Sequence, residues 1–405
     1  GENASFVWGI AKTGPVAFAT SKLDLAAVNN RVAKIRKGLD LGSSSSLDSD
    51  LDLASAHSLY AEFVRPVMPT LANTDHLLVV PHGSLGQIPF ALLPTAPARL
   101  GKETLAFESY GSVPWLIRER AITQLPSVST LYALRQFAPQ QTGQRQPLLG
   151  FGDPFFNTRQ AGEAANTQTT HLASRSIGLR ASPTTRNANS ATIADLARLP
   201  DTATELNEIA LALKIDPKDT VHLGKAANET GVKTSKLADY RIVAFATHGL
   251  IPGDLNGLAQ PALALSNPEV TGEKDADGLL TMEEILGLKM NADWVVLSAC
   301  NTASADGSSA EAVSGLGRAF FYAGTRALLV TNWPVETVSA RLLTTELFRK
   351  QAEQPTLSRA QALRSAMLTV MQGKSIDPAT GKAEYSYAHP LFWAPYSLVG
   401  DGGTK

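Results

Sequence analysis

The chain has 405 residues, more than one ordinary compact domain uses, and 44% of them are hydrophobic, enough for a sizeable core. Its 36 basic and 37 acidic residues leave a net charge of −1, so there is no global electrostatic footprint for nucleic acid or an anionic membrane. One cysteine excludes an internal disulfide and a cysteine-rich zinc site, and the seven scattered histidines contain no H-x-x-x-H pair, so no structural metal is expected. No apolar segment approaches the ~20 residues of a membrane span. No signal peptide opens the chain, which points to a cytoplasmic protein. The chain begins at Gly1 rather than Met, as a piece excised from a longer protein would.

Residues 6–20 read as two short strands around a Gly14-Pro15 turn. Residues 23–39 have helical spacing, with Leu25, Val28, Val32, Ile35 and Leu39 on one face and a solvated basic cluster at Lys34, Arg36 and Lys37. GSSSSLDSD (42–50) is a flexible connector, and a helix from Leu53 stops near Pro66 and Pro69. A buried strand follows at 76–81. Residues 115–131 supply another strand and a helix start capped by Pro126 and Ser127. The polar QQTGQRQ (140–146) marks a boundary between an N-terminal α/β supporting half, 1–140, and a second half, 147–405.

The second half opens with a strand at 147–151 that Asp153-Pro154 breaks. Residues 157–199, rich in Asn, Thr, Ser, Ala and Arg, lack periodicity and read as a mobile insertion. Arginines at 159, 175, 180, 186 and 198 make it cleavable after a basic residue, although a bland disordered insertion is the simpler reading. Helices are expected at 203–213, 232–237, within 277–290, and at 314–322, 338–351 and 357–371. Strands are expected at 221–223, 241–249, 294–297 and 326–331, with a closing one within 392–399. Strands alternating with helices predict an α/β fold, a mostly parallel sheet flanked by helices.

Two of these strands end in chemistry. WVVLSACNT (294–302) is an uninterrupted apolar run leading directly to Cys300. RIVAFATHG (241–249) is a second such run ending in His248 and Gly249. Open α/β sheets place their active sites at the carboxyl ends of parallel strands. His248 precedes Cys300 by 52 residues, and caspase-type histidines lie about 50 residues before their cysteine. An inert buried thiol and a satisfied core histidine are the bland alternatives. The matched pair favours a nucleophile and its base.

These residues, ATHG and LSACNT, resemble the CHAT family of caspase-like, separase-related cysteine proteases. The similarity also covers HLLVVPHGSLGQIPF (76–90), WLIRERAITQLPSVSTL (115–131), LLGFGDPFF (148–156), SGLGRAFFYAGTRALLVTNWPVET (314–337) and HPLFWAPYSLVGDG (389–402). Singly these motifs are weak; together, in the family's order, they are specific. The resemblance implies a caspase-like sheet in the second half, with the first half as a pseudo-protease-like support. It implies a cysteine endopeptidase that cuts a protein partner and needs no cofactor. Cys300 would be the nucleophile and His248 the base, with backbone N–H groups of Gly249 and Cys300 as the oxyanion hole. Asp153 stands where such folds place a determinant of the P1 pocket and would select Arg or Lys; its alternative is a turn former before Pro154. Asn332, Trp333 and Glu336 lie in a segment resembling the substrate-lining loop. Trp333 is equally a core candidate. Glu336, where relatives usually have Asp, is equally a helix N-terminal acid. Glu311 and Arg318 match family positions and read as loop and helix stabilisers.

By family analogy the protein would be a regulated bacterial protease, held inactive until a sensor segment engages a partner. Family members commonly carry tetratricopeptide (TPR) repeats beside this domain; none occur in this sequence, so a TPR or other regulatory segment would lie outside it. Two rivals come from other classes. A degenerate CHAT scaffold would bind a partner through the groove without catalysis, although it would more often have lost Cys300 or His248. A thiol acyltransferase or amidase could use the same pair and would differ in its products.

Overall fold

A computed structural model describes residues 4–39, 50–136, 144–166, 192–298 and 312–403. Eight strands form the central sheet. In chain order they are β1 (His76–Val79), β2 (Ala121–Gln124), β3 (Gln146–Gly152), β4 (Val221–Leu223), β5 (Tyr240–Ala246), β6 (Trp294–Leu297), β7 (Ala327–Thr331) and β8 (Tyr396–Gly400). Their order across the sheet is β1-β2-β8-β7-β6-β5-β3-β4. Every neighbouring pair is parallel except β7 with β8. Two parallel blocks therefore meet at one antiparallel seam, and strands from both sides of the 140–146 connector share one sheet.

The central strands are apolar on both faces, as suits a parallel sheet covered by helices on each side. Along β5, Ile242, Ala244 and Ala246 enter one hydrophobic core while Val243 and Phe245 enter the other. β3 divides in the same way, Leu148 to one side and Leu149 and Phe151 to the other. Helices cover both faces. Asp201–Ala212 and Thr337–Glu353 pack beside each other in the larger core, burying Leu206, Ile209, Leu343 and Leu347, while Ala312–Tyr322 lies over the smaller one through Leu316 and Phe320. The Asp201–Ala212 helix comes very close to β3: a Cβ on Gly152 would stand 2.6 Å from Leu206 Cδ1.

Elsewhere the helix Leu25–Lys37 buries Val28, Val32 and Ile35, and Leu39 beyond it is buried too. Leu25, placed inward by periodicity, is exposed at the N-terminal end of the helix. The helix expected at 232–237 runs instead over Glu229–Thr234, because Asn228 caps it by accepting from the Gly231 N–H. A hairpin of Lys374–Ile376 with Ala383–Ser386 was not foreseen. Of the insertion expected at 157–199, Thr158–Asn166 is helical and Ile193–Asp195 forms a single 3₁₀ turn, while 167–191 lies outside the described residues. Among the described residues no helix is long and apolar enough to cross a membrane.

Candidate active site

β3, β5 and β6 run parallel, so their carboxyl ends open on one edge of the sheet. Asp153 directly follows β3, and His248 follows β5 by two residues. Phe245 pairs with Leu297, and His248 and Cys300 each lie three residues beyond that pair. Cys300 itself lies outside the described residues, as does Glu311. Ser298, two residues before Cys300, is bonded through main chain and side chain. Its N–H donates to Phe245 O (3.0 Å), and its hydroxyl lies 3.0 and 3.1 Å from the two Glu205 carboxylate oxygens and 2.9 Å from the Tyr396 hydroxyl. Thr344 donates to the same carboxylate at 3.1 Å, and Glu205 is wholly buried. Sequence periodicity did place Leu206 and Ile209 inward, but nothing local marked Glu205, just before them, as a polar anchor.

His248 is buried, 1% exposed, against the Phe156 ring, whose centroid lies 5.5 Å from that of the imidazole. Its Nε2 is 2.7 Å from the Ala197 carbonyl oxygen. A carbonyl only accepts, so Nε2 carries the proton and, in the neutral ring, Nδ1 carries the lone pair. Nδ1 is buried and has no hydrogen-bond partner among the described residues. Burial holds the imidazole pKa below its usual value, and the Ala197 bond offsets this only in part. The ring is therefore neutral at pH 7, with Nδ1 able to accept a proton.

The next residue, Gly249, begins the short strand Gly249–Leu250, which pairs antiparallel with Ala262–Ala264. The Ala264 N–H donates to the His248 carbonyl (2.9 Å), which makes Gly249 and Leu263 a non-hydrogen-bonded pair. The Gly249 N–H therefore points away from this ladder. Thr247 secures the turn from the other side, donating to Ala264 O at 2.5 Å.

Asp153 occupies the left-handed region, φ 48°, where a non-glycine residue is uncommon and Asp is among the better tolerated. The backbone is held there by two bonds: its N–H donates to Thr202 Oγ1 (2.8 Å), and its carbonyl accepts from the Gly224 N–H (3.2 Å). Its buried carboxylate receives a two-point fork from Arg198, Nε to Oδ1 at 2.9 Å and Nη2 to Oδ2 at 2.6 Å. Burial pushes the Asp153 carboxyl pKa up, and the Arg198 guanidinium pulls it part of the way back. The guanidinium also lies over the Phe155 ring, 4.9 Å from its centroid.

Asn332, Trp333 and Glu336 follow β7 and are all buried. Asn332 Nδ2 donates to Pro395 O and to Ser397 Oγ, both at 2.9 Å. Trp333 sits in the larger core and donates from Nε1 to Leu391 O at 3.2 Å. Glu336 caps Thr337–Glu353, accepting from the Val338 N–H (3.0 Å) and the Ser339 N–H (2.7 Å). The structure thus brings His248, Gly249 and Asp153 to one sheet edge; β7 is parallel to β6 and ends on the same edge, but Asn332, Trp333 and Glu336 after it are buried and bonded to the β7–β8 region and to a helix start.

The family model described as CHAT domain matches residues 53–401. The chain belongs to the CHAT domain family. Over 122 residues it is 28% identical to Tetratricopeptide repeat protein 28 of Mus musculus and, equally, to that of Homo sapiens; the match covers 30% of this chain. The aligned part spans 4% of the length of either relative. Among solved structures, the Arg-specific cysteine proteinase gingipain R superposes with a TM-score of 0.40 at 10% identity, over 93% of this chain and 73% of that one.

Proposed function

We propose that this CHAT domain is a cysteine endopeptidase that cuts a protein partner, with Cys300 as nucleophile and His248 as general base. The observation that carries the reading is the state of His248: buried, neutral and held through Nε2–H by a backbone carbonyl, with Nδ1 left to take a proton. Its location at the carboxyl end of a parallel strand supports the same reading, as does the sequence spacing that sets His248 and Cys300 each three residues beyond the Phe245–Leu297 pair. Nδ1 takes the Cys300 thiol proton, and the thiolate attacks the peptide carbonyl carbon. The carbonyl π electrons move to oxygen, and the N–H groups of Gly249 and Cys300 receive that charge. As the C–N bond breaks, the imidazolium returns its proton to the leaving amine. Water, deprotonated by the same nitrogen, then releases the acid from the thioester and restores the thiol.

The specificity reading is that Asp153 selects a basic P1 residue. It is supported by the fact that this carboxylate already receives a guanidinium in a two-point fork. A substrate could bind there only by displacing Arg198, so this specificity reading and a lasting structural role for the Asp153–Arg198 fork are alternatives. Asn332, Trp333 and Glu336 act, in this proposal, by shaping the wall after β7 rather than by presenting free polar groups. A regulatory TPR segment beyond this sequence is proposed from the name that the curated relatives bear.

Fluorogenic peptides differing only at P1, assayed with wild type, Cys300→Ala and His248→Ala, test the function. Cleavage lost in both variants supports it. Intact peptides, with Cys300 alkylated no faster in wild type than in His248→Ala, would sink it and favour the catalytically silent scaffold.

A further inference from the structure

The carbonyl that orients His248 belongs to Ala197, and the chain around Ala197 is anchored at every step. Asn157 Nδ2 donates to Ala194 O at 2.9 Å. Gln160 Nε2 donates to Leu196 O at 2.8 Å, while its Oε1 accepts from the Phe156 N–H at 2.8 Å. The Leu196 side chain is buried in a cluster with Phe156, Leu250, Leu255 and Ala264. On the far side, Leu199 O accepts from Thr202, whose hydroxyl also receives the Asp153 N–H. Between these anchors, Arg198 makes its fork with Asp153 and lies over Phe155. Ala197 contributes no anchor of its own; its side chain is exposed. Only its neighbours fix where its carbonyl points.

We infer that Arg198 is a positioning residue: through its fork with Asp153 it holds the Ala197 carbonyl on Nε2 of His248 and thereby selects the tautomer that leaves Nδ1 as the base. This rests on the proposal above that His248 is the base. Asp153 suits the task because its backbone is pinned at both ends and its carboxylate is buried, so the fork has a fixed end. Arg198 suits it because a planar guanidinium binds both oxygens at once and sets a direction that an ammonium does not. Gln160 is the second strut, joining Leu196 O to the backbone of Phe156, whose ring packs on the imidazole. The fork closes a path from the end of β3 to the end of β5, linking the two strand ends through a carbonyl rather than through a carboxylate on the histidine.

The test uses the full chain with Arg198→Ala and Arg198→Lys. Lysine keeps the charge and an aliphatic stem near Phe155 but loses the fork, which keeps the test alive where the alanine protein fails to fold. The first readout is the ¹⁵N spectrum of the His248 imidazole, which reports the tautomer without any activity. Wild type should show Nε2–H alone near neutral pH, Arg198→Lys a mixture of tautomers, and Arg198→Ala a larger share of the other. The second is the rate of Cys300 alkylation by iodoacetamide against pH, unambiguous because the chain has one cysteine. Arg198→Ala should be at least tenfold slower than wild type at pH 7, with Arg198→Lys between them. A folded variant with the wild-type tautomer overturns the inference, and so does faster alkylation or peptide cleavage in Arg198→Ala, which would make Arg198 an occupant of the P1 site. A changed tautomer with unchanged alkylation upholds the positioning role and sinks the peptidase reading instead.

Discussion

His389 provides a measurable pH dependence that the fold itself sets. The residue opens the short helix Pro390–Trp393, and its Nδ1 accepts from the Leu391 N–H at 3.0 Å. It is 2% exposed, with its ring centroid 4.5 Å from Tyr110 and 5.0 Å from Phe107. Nε2 is buried and has no hydrogen-bond partner among the described residues. Burial lowers its pKa from 6.5 to about 3, because no group here would compensate a charged ring. A depressed folded pKa means that the unfolded chain binds the proton first. The stability is complete above pH 6.5 and is lost progressively as pH falls towards 3. At pH 5 the unfolded histidine is about 1.5 pH units below its own pKa, and at about 1.36 kcal/mol per unit the loss is about 2 kcal/mol. Urea unfolding at pH 7.5 and pH 5.0 would be compared between wild type and His389→Asn, which keeps a capping acceptor but does not titrate. The variant should be less stable at both pH values, since it gives up the ring packing, yet lose about 2 kcal/mol less between them. Every other group is common to both proteins and cancels in the difference. Parallel pH profiles would refute the reasoning.

Three further outcomes follow from particular contacts. His248, also held below 6.5 by burial, should place the acid limb of the kcat/KM profile below pH 6.5; a limb at or above that pH would contradict the neutral, buried base. Gly152→Ala should destabilise by about 1–3 kcal/mol in urea unfolding, because its Cβ would meet Leu206 Cδ1 at 2.6 Å; a neutral substitution would mean that helix and strand separate easily there. Ser298→Ala takes a donor from the buried Glu205 carboxylate and should lower stability by about 1–3 kcal/mol, with slower Cys300 alkylation if the bond also sets the approach to that residue. Unchanged stability would mean that the other bonds of Glu205 suffice.

The elements most legible in the sequence were those whose signal is local. β5 and β6 are uninterrupted apolar runs because both faces of the sheet are covered, and that pattern alone located their ends, where His248 stands. The cap at Asn228 was equally local, and giving it weight would have moved the expected 232–237 helix back to Glu229–Thr234. Glu336 could be read as a helix N-terminal acid for the same reason, and in the fold it accepts from two first-turn N–H groups.

The contacts that define the electrostatics of the site are non-local, and here the sequence was silent. Asp153 and Arg198 are separated by 45 positions. Each was read for itself, one as a turn former or pocket acid, the other as a cleavable arginine in an insertion. No periodicity couples them, because neither repeats with the surrounding core. Their pairing depends on the left-handed turn at Asp153 and on Thr202, which bonds both the Asp153 N–H and Leu199 O. Glu205 illustrates the same limit from the opposite side. Its helix was recognised by the apolar residues beside it, yet its function in the fold comes from Ser298 and Thr344, which two other segments deliver. An apolar pattern reports which face of an element is inward. It does not report which buried polar group will find its partners there, since that depends on the crossing of elements far apart in the chain. A cysteine and a histidine can therefore be proposed as a pair from two strand ends alone, whereas the tautomer of His248 follows from the carbonyl of Ala197, an exposed residue with no chemistry of its own.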